Sequence, residues 1–173
     1  YNNDRSIIII YNCLKFELIM RWNIVSYLIN PYVGFQDELN GLFFPFGIDK
    51  SEFHALIKKE PNSYMSTLEY YDDYRVDYDR NNKAIAFEFF SNSDLFIITD
   101  ANEFNDIKEK NLFKIPFVEI NKILCVNDPS SKVTDAGVIS LKYGIGTYLE
   151  DSEEDVCESI IIFKKGYYAT LGW

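Results

Sequence analysis

At 173 residues, with 47% of them apolar and 17% aromatic, the chain has the length of one domain and too much hydrophobic content to stay disordered. Its 27 acidic side chains against 17 basic ones leave a formal net charge of −10. That balance argues against direct nucleic-acid binding, which needs a phosphate-neutralising basic face, and favours a basic partner. The cysteines Cys13, Cys125 and Cys157 are odd in number and far apart, with no CxxC pair. They fit neither a disulfide framework nor a zinc site, so reduced thiols in a cytoplasmic protein are expected.

In chain order, the apolar stretch from Ile7 to Ile29 is interrupted by Lys15, Glu17 and Arg21. Each costs about 2–3 kcal/mol at a bilayer centre, so neither a membrane span nor a secretory signal is expected. Residues 1–19 precede the first methionine, Met20, and are read as a candidate extension. The chain is therefore divided into a lead-in of uncertain place at 1–40 and a single α+β domain at 41–173. A helix is expected over 49–59: Asp49 and Glu52 have capping-box spacing, Phe53, Leu56 and Ile57 form a stripe, and Pro61 stops it. From Tyr74 the period becomes two, with Tyr74, Val76 and Tyr78 facing the core and Asp73, Asp77 and Asp79 facing outward beside Arg75. Arg80-Asn81-Asn82-Lys83 supplies turn chemistry, and Ala84–Phe90 returns with Ile85, Phe87 and Phe89 on the core face.

A short strand at Leu95–Thr99 and a weak helix from Asp100 to Lys110 follow. Pro116 then opens a helix to Val126, with Phe117, Ile120 and Leu124 on one face and Asn127-Asp128-Pro129 ending it. Val138–Tyr143, Gly146–Leu149 and Val156–Phe163 read as strands, the last covered on both faces because Ile160, Ile161 and Ile162 are consecutive. The whole is an antiparallel sheet with helices packed on one face. A helix-then-hairpin unit at 49–90 and a second at 116–163 raise a degenerate duplication as one origin.

The single histidine, His54, points away from its helix's apolar stripe and has no local partner for catalysis or metal binding, so a solvent-facing role is expected. No spacing of residues indicates an enzyme, a cofactor or a metal. The interaction candidates lie in two acidic clusters. The first, Glu69 to Asp79, mixes tyrosines with carboxylates; Tyr70, Tyr71, Asp72, Asp73, Asp77 and Asp79 are its candidate partner-binding residues. Core burial of its tyrosines and hydration of its acids is the equally weighted alternative. The second holds Glu150, Asp151, Glu153, Glu154 and Asp155 between two strands, and lacks the glycine of an EF-hand loop.

Three motifs occur in order. Gly41-Leu42-Phe43-Phe44-Pro45-Phe46-Gly47-Ile48-Asp49-Lys50-Ser51-Glu52-Phe53 leads into the first helix, and Asp72-Asp73-Tyr74-Arg75-Val76-Asp77-Tyr78-Asp79 forms the acidic strand. Tyr143-Gly144-Ile145-Gly146-Thr147-Tyr148 then precedes a terminal Ile162-Phe163-Lys164-Lys165-Gly166-Tyr167-Tyr168. Together they resemble the pattern of small acidic bacterial immunity proteins of polymorphic-toxin and contact-dependent growth-inhibition systems. Those proteins are distantly similar to modules of outer-membrane assembly lipoproteins and β-lactamase inhibitors. The resemblance implies a non-catalytic inhibitor that binds one cognate toxin C-terminal domain, a basic protein such as a nuclease, and occludes its active site. A protein-interaction module of another pathway and a small-ligand binder with an aromatic cavity are the alternatives.

Overall fold

The computed structural model describes residues 25–98, 104–149 and 155–168. Two sheets are built from them. The larger is antiparallel and takes strands β4 (Ser63–Met65), β5 (Leu68–Tyr70), β6 (Tyr74–Tyr78) and β7 (Ala84–Phe90). It continues through β12 (Ser159–Phe163), β11 (Ile145–Tyr148), β10 (Gly137–Ser140) and β9 (Lys132–Thr134), in that spatial order. Helix α1 (Lys50–Ile57) precedes β4–β7 and helix α2 (Phe117–Asn127) precedes β9–β12. Each helix is thus followed by a four-strand meander, and the meanders join where β7 pairs with β12. The smaller sheet runs β3 (Leu42–Pro45), β2 (Gly34–Asp37), β1 (Ser26–Asn30) and β8 (Asp94–Ile97). Its β1–β8 pairing is parallel, so the architecture is α+β with one mixed sheet beside the antiparallel one.

The alternation in β6 works as read: Tyr74, Val76 and Tyr78 are buried, and Arg75 and Asp77 are half-exposed on the other face. The turn after it is closed by the Asp79 carboxylate, which accepts from the backbone N–H groups of Asn81 and Lys83. The return strand departs from strict alternation. A bulge makes Asp77 pair with Ala86 and Tyr78 with Ala84, so Ile85 is the extra residue. Ala84, Phe87 and Phe89 join the main core, while Ile85 and Ala86 pack on the opposite face with Phe163 and Tyr167. The expected core position of Ile85 is corrected by this bulge.

Helix α1 ends earlier than 59, because Lys58 adopts φ 51° and breaks the repeat before Pro61. The capping box does not form: the Asp49 carboxylate pairs with Lys83 Nζ at 2.6 Å instead of the helix N–H groups. Phe53 on α1 and Ile120 and Leu124 on α2 lie in the main cluster. The described part of the expected helix at 100–110, residues 104–110, forms turns whose Phe104 and Ile107 are buried. Residues 26–37, grouped with the lead-in on sequence, carry β1 and β2. Tyr27, Ile29 and Phe35 there are core residues, and Phe35 meets Phe44, Phe87 and Phe89 ring to ring. Close β2–β3 packing requires Gly34, with φ 146°, since a Cβ there would stand 2.1 Å from the Phe44 carbonyl oxygen. Among the described residues no helix is long and apolar enough to cross a membrane.

Candidate functional site

The acidic segment 69–79 is distributed over three environments. Alternation along β5 and β6 sends Glu69 to the covered face of the large sheet, where α1 lies. Lys50 and His54, one helical turn apart, reach it from there. Glu69 is fully buried, with Oε1 2.6 Å from Lys50 Nζ and Oε2 2.7 Å from His54 Nε2. The hydroxyl of Tyr71 donates to Oε2 at 3.2 Å. Burial alone would raise this carboxyl's pKa, but Lys50, then His54 and Tyr78, outweigh it and hold it below the usual range. His54 is therefore not simply solvent-facing: its partner is 15 positions along the chain, in another element. Tyr71, expected as a surface anchor, is buried and stacked on Tyr74 at 4.8 Å because the chain turns back between β5 and β6, with the Tyr71 N–H donating to the Tyr74 carbonyl at 2.8 Å.

Asp72 and Asp73, just before β6, border a cleft of about 680 Å³ between the end of α1 and the small sheet. Its apolar lining includes Val25, Leu42 and Leu56, and Asp37 stands on the small-sheet side. Asp72 is exposed, and Lys59 Nζ at 2.6 Å, then Asn62, hold its carboxyl below the usual range. Asp73 accepts from Tyr27 Oη at 2.5 Å through Oδ2. Tyr74 lines the same cleft while only 7% exposed, and among the described residues its hydroxyl makes no side-chain hydrogen bond. Burial, then the charges of Asp73 and Asp37, push its pKa well above the ordinary tyrosine value. Asp37 also accepts from the N–H groups of Leu39 and Asn40, which fixes the turn after β2.

The other face of the large sheet carries Tyr70, Arg75 and Asp77. Arg75 Nε lies 2.6 Å from Glu88 Oε2, Ser159 Oγ donates to Glu88 Oε1 at 2.5 Å, and the guanidinium sits 5.9 Å from the centre of the Tyr70 ring. Burial opposes the Arg75 charge, but Glu88 and Tyr70 more than compensate and raise its pKa. A hollow of about 430 Å³ adjoins this pair and is lined in part by Gly146, where a Cβ would stand 2.9 Å from Ile161 Cγ2. Asp77 accepts from Thr67 Oγ1 at 2.9 Å and from Tyr167 Oη at 3.0 Å, tying the last described segment to β6.

Of the sequence-derived candidates, the cleft gathers Asp72 and Asp73, the second face takes Tyr70 and Asp77, and Asp79 serves the turn. Asp155 is exposed and its carbonyl accepts from Phe117 N at the start of α2, whereas Glu150, Asp151, Glu153 and Glu154 lie outside the described residues. Tyr27 and Asp37 were missed. The alternation of Tyr27 and Ile29 and the Asp37-to-Asn40 turn spacing were the signals available for them. Among the described residues no group of His, Cys, Asp and Glu is placed to hold a metal ion, and Cys125 and Cys157 are free thiols. Burial pushes the Cys157 thiol up to about 12. No protein-family model, curated protein or solved structure matches the chain.

Proposed function

We propose that this chain is an immunity-type inhibitor that binds a basic toxin domain and blocks it by occlusion, without chemistry of its own. The observation that carries the reading is the cleft beside β6. It has a volume of about 680 Å³ and is bordered by Asp37, Asp72 and Asp73, with Lys58 and Lys59 at the end of α1, in a chain of net charge −10. A basic partner is drawn to such a surface over distances set by ionic strength, and the apolar lining then supplies short-range contact. The order of motifs from 41 to 168 supports the same class. In this reading the protein works in the cytoplasm, both helices back one face of the large sheet, and the two helix-plus-meander units descend from one duplicated module.

The test is co-expression with the C-terminal domain of a toxin encoded beside it. Cells carrying both should survive, the two proteins should co-purify, and their association should slow as salt rises. Survival without co-purification, or toxicity undiminished by this chain, overturns the proposal.

A further inference from the structure

We draw no further inference here: the strongest candidate, the hollow on the second face of the large sheet lined by Ile139, Gly146, Ile161 and Tyr168, carries none, because the Arg75 and Glu88 beside it are already paired with each other and nothing in the structure shows what covers it.

Discussion

The large sheet carries a carboxylate–cation pair on each face, and the two are assembled differently. On the covered face Glu69 is fully buried, and its partners Lys50 and His54 arrive from α1. On the second face Glu88 retains 14% exposure, and its cation Arg75 is its direct cross-strand neighbour. Glu69 therefore reports whether the helix is docked, while Glu88 reports whether β6 and β7 are in register. A buried carboxylate held by several donors is expensive to disrupt, because each donor loses its partner inside the protein. A pair near the rim loses less, because its members turn toward water.

The sharpest way to break the contrast is to remove each carboxylate in turn. Glu69→Ala should cost about 3 kcal/mol of unfolding free energy, the lower end for a buried pair because Lys50 and His54 are each about a third exposed. Chemical denaturation should record this with increased amide exchange in α1. Acid should act through the same group. The folded-state pKa of Glu69 lies below its ordinary value of 4.5, so its contribution is complete above that value and is lost as pH falls below it. Melting temperature should drop below about pH 4.5, and Glu69→Gln should flatten part of that slope. Glu88→Ala should cost about 1–2 kcal/mol and loosen β6–β7 exchange while leaving α1 protected. The smallest effect belongs to Asp77→Asn, at about 0.5–1 kcal/mol, since the amide oxygen still accepts one hydrogen bond. Its signature should be a freer Tyr167 by fluorescence or ring NMR.

What was legible in the sequence was local. The period of two in Tyr74–Tyr78, the Asp79–Lys83 turn and the stripe of Ile120 and Leu124 all depend on residues within one or two turns of each other. The features that define the clusters depend on register and on docking. Glu69 looks like another solvated acid until β5 is laid against β6 with Glu69 opposite Val76, a core position. His54 looks partnerless until α1 is placed over that strand. The bulge at Ile85 is invisible because Ile-Ala-Phe is acceptable in either alternation. The cleft combines Asp37 from β2, Leu56 from α1 and Asp73 before β6, which no spacing rule connects. The parallel β1–β8 pair joins segments more than sixty residues apart, and nothing in either strand names the other.

The seam between β7 and β12 has a consequence for how the chain is made. Phe87 and Phe89 leave the ribosome well before Ile160 and Ile162, their neighbours across that seam. Until β12 emerges, β7 presents an open hydrogen-bonding edge and a partly uncovered aromatic surface in the middle of what will become the sheet. The finished sheet instead ends in β4 and β9, strands of three residues each, too short to template much pairing. Synthesis thus passes through a species whose most adhesive edge is central and temporary, and release of the last strand converts it into a particle with blunt margins. A chain truncated before Ser159 should accumulate as aggregates, whereas trimming β9 should leave a soluble product.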